Sequence, residues 1–292
     1  MAGQLHHGPV ADDLLDACEP FLGPVTLVSD LSWKLGDNKV VEVSDRDGRS
    51  WIVKAVLHRE GYERELRALR RWAPALGDGA PALLAADDER QILVMARRPG
   101  RLAMETTAET DPAVHEQAGR LTRRLHDAEP PLLDADATGS TARMLETWIS
   151  RGSDLLSQEE IDFSREQVRP LATLGSVATV PCHLDNQPRN WLVDDAGTVS
   201  LIDFGTCKQD VWVRDVRRLY AQQWVGRPDL RDAFYAGYGR APTPADLALL
   251  RCHLAYSALS TVVWAHEHHD PGFEEQGRRT LAGLRAGTLA VG

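Results

Sequence analysis

Pro181-Cys-His-Leu-Asp-Asn-Gln-Pro-Arg-Asn-Trp-Leu-Val193, followed by Leu201-Ile-Asp-Phe-Gly205, sets His183, Asp185 and Asn190 on one loop and Asp203 on the next. Asp194-Asp-Ala-Gly197 supplies the hairpin turn between them. Apolar runs flank both groups, so the polar residues fall at strand ends, on loops held by a rigid scaffold, where chemistry is usually presented. Their types matter as much as their places. A carboxylate can orient an alcohol and take its proton, while a second carboxylate and an amide offer hard oxygens of the kind Mg²⁺ binds. Asp185 suits the first task; Asn190 and Asp203 suit the second. Either half alone is a weak signal, and both at this separation are a strong one.

Upstream, Val40-Val-Glu-Val43 and Ser50-Trp-Ile-Val-Lys-Ala-Val-Leu57 are β-rich runs joined by a polar Asp-Gly turn. Tyr62, Leu66, Leu69 and Trp72 recur at helical spacing and predict a helix over 62–72. After a Pro/Gly-rich break at 73–81, Ala82-Leu-Leu-Ala85 and Gln91-Ile-Leu-Val-Met95 read as two more strands. The N-terminal third is thus strands plus one helix. Arg97-Arg-Pro-Gly100 ends that pattern. Beyond it, Val114, Ala118, Leu121 and Leu125 form one helical face, 127–140 reads as an acidic loop, and helices are expected near 143–151 and 158–174. From Trp212 onward the chain is helical again, broken at 227–228, 241–244 and 270–272. The layout is α+β and bilobal: a small β-rich lobe over 1–96, a hinge at 97–100 and a larger helical lobe over 101–292.

H-x-D-x-x-x-x-N followed by D-F-G resembles the catalytic and metal-binding loops of the eukaryotic-type kinase superfamily. The form His183-x-Asp185…Pro188-x-Asn190, with Ile202-Asp203-Phe-Gly, is more similar to the aminoglycoside phosphotransferase family than to protein kinases. Gly119-Arg-Leu-Thr-Arg-Arg-Leu-His126 resembles that family's helix ending in Leu-His, Val94-Met-Ala-Arg-Arg-Pro-Gly100 its hinge, and Asp210 with Asp215 its acidic pair. The resemblance implies a protein-kinase-like fold and a Mg²⁺-dependent phosphotransferase using ATP or GTP. It makes Asp185 the catalytic carboxylate, His183 a brace for the loop, and Asn190 and Asp203 the metal ligands. Lys54, in a run similar to the kinase strand V-A-I-K, would pair with the nucleotide phosphates. Its partner would be Glu65, which directly precedes Leu66, with Glu63 as the fallback. Met95, Ala96 and Arg97 would line the base through backbone groups.

The chain also departs from the pattern. Leu184 stands where the family has glycine, and Lys34-Leu-Gly-Asp-Asn-Lys39 carries a single glycine over the phosphates, with Lys34 or Asn38 as open choices for contact. Ala96-Arg97 replaces the family's Glu-Tyr hinge pair, which leaves ATP and GTP both open.

With 292 residues, 43% of them hydrophobic, the chain can bury two lobe-sized cores. A net charge of −10 argues against a nucleic-acid partner, whose phosphates need Lys and Arg. No apolar run approaching the roughly 20 residues of a membrane span is read, nor an export signal, so a cytoplasmic protein is expected. The spacing of Cys18, Cys182, Cys207 and Cys252 fits free thiols rather than zinc or disulfides.

In the resembled family the acceptor binds in the helical lobe, often through acidic residues that meet ligand amines. Residues 127–136, 159–162 and 267–275 are the acidic candidates, and Tyr220, Trp224, Phe234, Tyr235, Tyr238, Tyr256 and Trp264 are aromatics of which most should be core. The leading acceptor is an antibiotic of aminoglycoside, peptide or nucleoside type, giving resistance by inactivation. A metabolic sugar or amino-alcohol kinase is the alternative. A non-catalytic kinase-like nucleotide-binding module is another, which the intact set Lys54, Asp185, Asn190 and Asp203 argues against. His266, His268 and His269 lack the i, i+4 spacing of a helical zinc pair and read as a solvated helix end.

Overall fold

The computed structural model describes residues 11–33 and 38–289. Helix α1 (Ala11–Leu22) precedes strands β1 (Thr26–Asp30), β2 (Lys39–Ser44) and β3 (Ser50–Ala55), helix α2 (Arg59–Arg71), and strands β4 (Leu83–Asp87) and β5 (Ile92–Ala96). The strands form one antiparallel sheet in the order β1-β2-β3-β5-β4. Val41, Val43, Val53, Ala55, Ile92 and Val94 bury one face of it against Leu14, Ala17 and Cys18 of α1. Side chains alternate along a strand, so Lys54, between Val53 and Ala55, points to the other face, toward α2. Strands β2 to β5 were legible from their apolar runs; β1 and α1 were not read. Leu14, Ala17, Cys18 and Phe21 do stand at i, i+3, i+4 and i+7 along α1, but acidic residues and Pro20 interrupt the run.

The chain continues through β6 (Arg101–Leu102), α3 (Pro112–His126), β7 (Leu132–Asp134), α4 (Ala137–Arg151), α5 (Gln158–Val168) and β8 (Val177–Cys182). The hairpin β9 (Trp191–Val193) and β10 (Val199–Leu201) follows, then β11 (Lys208–Asp210), α6 (Arg217–Ala221), α7 (Pro228–Tyr238), α8 (Pro244–Glu267) and α9 (Pro271–Ala286). Residues 127–140 are not one loop: Leu132–Asp134 pairs antiparallel with β8, and α4 already begins at Ala137. A three-residue strand with exposed leucines carries no periodic signal. Helix α5 stops at Val168 and gives way to a 3-10 turn, because Pro170 cannot extend an α-helix.

By packing, the chain forms two compact units: Met1–Met104 with Pro188–Lys208, and Glu105–Gln187 with Gln209–Gly292. The sequence reading puts the division at 97–100. In the structure β6 pairs with β9, Arg101 opposite Val193 and Leu102 opposite Leu192, and this ties the hairpin to the first unit. Gly100, at φ +111°, permits the approach, since a Cβ there would lie 2.6 Å from the Val193 backbone.

In the second unit α3 and α7 cross closely through two glycines. A Cβ on Gly119 would fall 2.1 Å from the Phe234 carbonyl oxygen, and one on Gly237 would fall 1.8 Å from that of Glu116. A second core joins Leu145 and Ile149 of α4, Ile161 and Val168 of α5, and Leu259, Val262 and Val263 of α8. Thr243 and Asp246 close a capping box at the start of α8. That helix is long and apolar enough to cross a membrane by length and composition, a run the sequence reading did not find. Half of its apolar stretch is buried within the protein, which is the pattern of a core helix.

Candidate active site

The expected site residues divide between the units. Lys54, Glu65, Met95, Ala96, Arg97, Asn190 and Asp203 belong to the first, and His183 and Asp185 to the second.

In the first unit, β3 presents Lys54 and α2 presents Glu65 on its buried face beside Tyr62, Leu66 and Leu69. The Lys54 Nζ lies 2.9 Å from the Glu65 carboxylate and 2.8 Å from Asp203 Oδ1. Burial pulls the Lys54 ammonium down, but the charges and hydrogen bonds of Asp203 and Glu65 outweigh it, and its pKa is raised. Glu63 instead pairs with Arg59 at the surface, 2.8 Å away. Asp203 stands in the left-handed region (φ 62°, ψ 72°), and its side chain is 51% exposed, so the carboxylate has an open side. Gly205 lies against this group. A Cβ there would come within 3.3 Å of both Asp203 Oδ1 and Glu65 Oε2, so the missing side chain leaves the charges room. Arg64 of α2 donates to the Gly205 carbonyl at 2.6 Å and fastens the Asp-Phe-Gly segment to the helix.

Hairpin pairing brings Asn190 beside Asp203. Trp191 is opposite Leu201, and Ile202 N–H donates to the Asn190 carbonyl at 2.9 Å. An amide and an open carboxylate on neighbouring strand ends are hard-oxygen donors of the kind that would suit Mg²⁺. At the hinge, Ala96 N–H donates to Ala82 O at 2.8 Å and Arg97 N–H to Ser50 O at 3.3 Å, while the Arg97 side chain pairs with Glu42 at 2.8 Å. Both N–H groups are therefore engaged within the sheet, and Met95 is buried on β5. Asn38 Oδ1 accepts from Leu57 N–H at 3.2 Å and so braces the end of β3; Lys34 lies outside the described residues.

In the second unit the loop after β8 is held from behind by buried Asp215. Its carboxylate accepts from the His183 N–H at 2.8 Å and from the Leu184 N–H, and lies 2.9 Å from His126 Nε2. His126 Nδ1 lies 2.9 Å from the Tyr238 hydroxyl. Burial pushes the Asp215 carboxyl up, but His126 and the His183 contacts outweigh it and hold it below its usual range. His126, Cys182 and Asp215 are clustered closely enough to suggest a metal, yet the His126 nitrogens and the Asp215 oxygens already have these partners. The cluster is a brace. Leu184 takes φ +64°, a conformation that favours glycine.

Asp185 is 5% exposed; its Oδ1 accepts from Gln187 Nε2 at 2.6 Å and lies 2.8 Å from Arg218 Nε. Sequence reasoning missed both partners. Arg218 stands three residues after Asp215 in an Arg217-Arg218 pair, which nothing in the sequence sets apart from the pairs at 70–71, 97–98, 123–124 and 278–279. Tyr220, Trp224, Phe234, Tyr235 and Tyr238 are core, whereas Tyr256 and Trp264 are half-buried. Tyr238 stacks on Trp212 with ring centroids 5.1 Å apart, Trp224 meets Tyr220 at 4.9 Å, and Trp264 stacks on His268 at 4.0 Å. His266, His268 and His269 are exposed at the end of α8, and His266 pairs with Glu274. None of the four cysteines forms a disulfide, and all are buried.

Residues 34–251, well over half of the chain, match the family described as the phosphotransferase enzyme family. No curated protein sequence matches the chain. Among solved structures, it is similar to a thermostable mutant of aminoglycoside phosphotransferase APH(4)-Ia in ternary complex with ADP and hygromycin B. That match has 14% identity over 94% of this chain and 98% of that one, with a TM-score of 0.70. Macrolide 2'-phosphotransferase MphH from Brachybacterium faecium matches at 16% identity over 92% and 97% of the two chains, TM-score 0.63. A choline/ethanolamine kinase family protein from Mesorhizobium loti matches at 18% identity over 91% and 88%, TM-score 0.67. The chain belongs to the phosphotransferase enzyme family and is a small-molecule kinase of protein-kinase-like fold.

Proposed function

We propose that this enzyme transfers the γ-phosphate of ATP or GTP to a hydroxyl of a small molecule, with an antibiotic as the first acceptor class to test. The observation that carries the reading is the Lys54 ammonium fixed between Glu65 and Asp203. Lys54 meets the α- and β-phosphates, and Glu65 keeps its flexible stem in one position. Asn190 and Asp203 hold Mg²⁺, which when bound neutralises charge on the phosphate oxygens. Asp185 orients the acceptor hydroxyl and takes its proton. A bond forms between the acceptor oxygen and the γ-phosphorus, the bond to the β-phosphate oxygen breaks, and a nucleoside diphosphate leaves. His183 and Asp215 set the angle of the loop. We place the reaction in the cytoplasm, where nucleotide triphosphates are at hand and thiols stay reduced.

The antibiotic reading is supported by family membership and by the acceptors that the solved neighbours' names carry. The test is incubation of the purified protein with Mg²⁺, ATP or GTP and a panel of antibiotics and amino sugars, read by mass for an added phosphate. Asp185→Ala should lower kcat at least about 100-fold, the lower range of general-base assistance, with nucleotide Kd within about twofold. Normal turnover by that variant would show that Asp185 is not the base.

A further inference from the structure

Helix α6 follows the Asp215 brace and carries Arg217 and Arg218 into a cleft of about 300 Å³, its solvent-open mouth included, within the second unit. Gln222, Ser257, Phe273 and Gln276 also line it, and no carboxylate does. The enclosed part of the cleft is only about 20 Å³, room for about one small group, so it suits one substituent of a molecule and not a whole multi-ring compound. Arg218 Nε lies 2.8 Å from Asp185, and its guanidinium stands 5.6 Å from the Phe273 ring centre. The cleft wall is thus one side chain away from the carboxylate proposed to meet the acceptor.

Arg217 is the unusual member. It is half-buried and donates from Nη1 to the Arg214 carbonyl at 2.8 Å; among the described residues no carboxylate lies within 4.0 Å of it. Burial, then the neighbouring guanidiniums of Arg214 and Arg218, pull it down to about 9, so it is still a cation at neutral pH. In a protein of net charge −10, this cleft is locally positive. Many of the acidic residues that would greet an amine-rich acceptor already meet a cation, while among the described residues Asp134 and Asp162 accept only from Asp136 N–H and the Gln158 amide. Asp127 pairs with Arg123, Asp136 with Arg143, Glu159 with Arg285, Glu267 with Arg151 and Glu274 with Arg278. Glu160 closes the capping box of α5.

We infer that the acceptor is an anionic hydroxy compound, whose carboxylate or phosphate sits on Arg217 while its hydroxyl meets Asp185. This rests on the catalytic role proposed for Asp185 and narrows the acceptor class away from polycations. Arg217 feels the charges of Asp185 and Asp215 but makes a direct ion pair with neither, so it gains one from such a group without first breaking one. A polyamine acceptor would instead bring like charge against it.

The experiment offers four acceptor arms with Mg²⁺ and ATP or GTP: hydroxy acids (D-glycerate, D-gluconate), a sugar phosphate (glucose 6-phosphate), a neutral polyol (myo-inositol) and polycations (kanamycin, hygromycin B). The expected result is phosphorylation in an anionic arm with kcat/KM at least tenfold above either polycation, the two anionic arms separating carboxylate from phosphate. Arg217→Gln should raise KM for the accepted compound at least tenfold with a smaller change in kcat. Arg217→Lys, which keeps the charge, should recover part of the loss and stands in should the Gln variant fail to fold. Turnover confined to kanamycin, hygromycin B or myo-inositol overturns the inference, as does an unchanged KM in both variants. So does failure of every anionic compound. Mg²⁺-dependent nucleotide hydrolysis by the unaltered enzyme without acceptor separates the two claims. If it is present, such results remove only the anionic acceptor; if it is absent along with all turnover, the proposed function falls too.

Discussion

Replacing Glu65 with Gln keeps the side chain's shape and removes its charge. Lys54 is 7% exposed and Glu65 is 2% exposed, whereas the side chain of Asp203 is half in solvent. The two anions around the ammonium are therefore unequal: the Glu65 pair is barely screened and the Asp203 pair substantially so. Breaking a buried pair costs about 3–5 kcal/mol when the survivor is left alone. In this variant Asp203 stays and Gln still accepts a hydrogen bond, so the expected loss of folding stability is about 2 kcal/mol, a Tm lower by about 4–8 °C. Nucleotide binding should show the role more sharply. If Asp203 serves the proposed Mg²⁺, Glu65 alone would keep Lys54 in place, and Gln holds an ammonium weakly. The Kd for a Mg²⁺-bound, non-hydrolysable ATP or GTP analogue should rise about 10–100-fold, equivalent to about 1.4–2.7 kcal/mol. Calorimetric titration gives the Kd and a thermal melt gives the Tm. A Kd within twofold of the parent, with Tm lowered, would show that Glu65 serves folding alone and would refute the argument.

Two further consequences are open to direct measurement. Gly237→Ala sets a Cβ on the Glu116 carbonyl across the α3–α7 crossing. It should cost about 3 kcal/mol, the upper range of overpacking, read as a lower urea midpoint; an unchanged midpoint would deny the close crossing. The Asp215 carboxyl is held below its ordinary value of 3.8, so the folded state binds its proton later than the unfolded one. Its contribution is complete above about pH 5 and is lost as pH falls through the depressed folded value. Urea unfolding from pH 7 to pH 3 should therefore show a shallower acid decline in Asp215→Asn than in the parent, and equal slopes would count against the brace.

The elements that carry the candidate residues were legible wherever one segment supplied them. The loop after β8 and the hairpin that presents Asn190 and Asp203 lie between apolar runs that read as strands, and the structure has strands there. Glu65 followed from helical spacing, because the face that buries Leu66 and Leu69 must carry its neighbour inward. The parts that stayed hidden depend on distant pieces of chain. Nothing near Arg101 and Leu102 says that they will pair with Val193 and Leu192, so the division between units could not be placed from composition. Arg218 meets Asp185 only after α6 has folded back, and the acidic stretches looked available because their arginine partners lie as far away as Arg151 from Glu267.

Leu184 shows how that tertiary dependence sets the loop. A left-handed backbone costs a leucine roughly 1–2 kcal/mol, a cost that glycine would escape. Two neighbouring N–H groups, of His183 and Leu184, point at one buried carboxylate, and hydrogen bonds to a charged group are worth about 1.5–3 kcal/mol each. The leucine side chain is itself 6% exposed, and such burial contributes about 1.5–3 kcal/mol. The favourable contributions exceed the strain without a glycine. The residue that follows, Asp185, is then carried by a backbone with fewer accessible conformations than a glycine would allow. Such a loop is suited to hold one carboxylate at a fixed angle to an incoming alcohol.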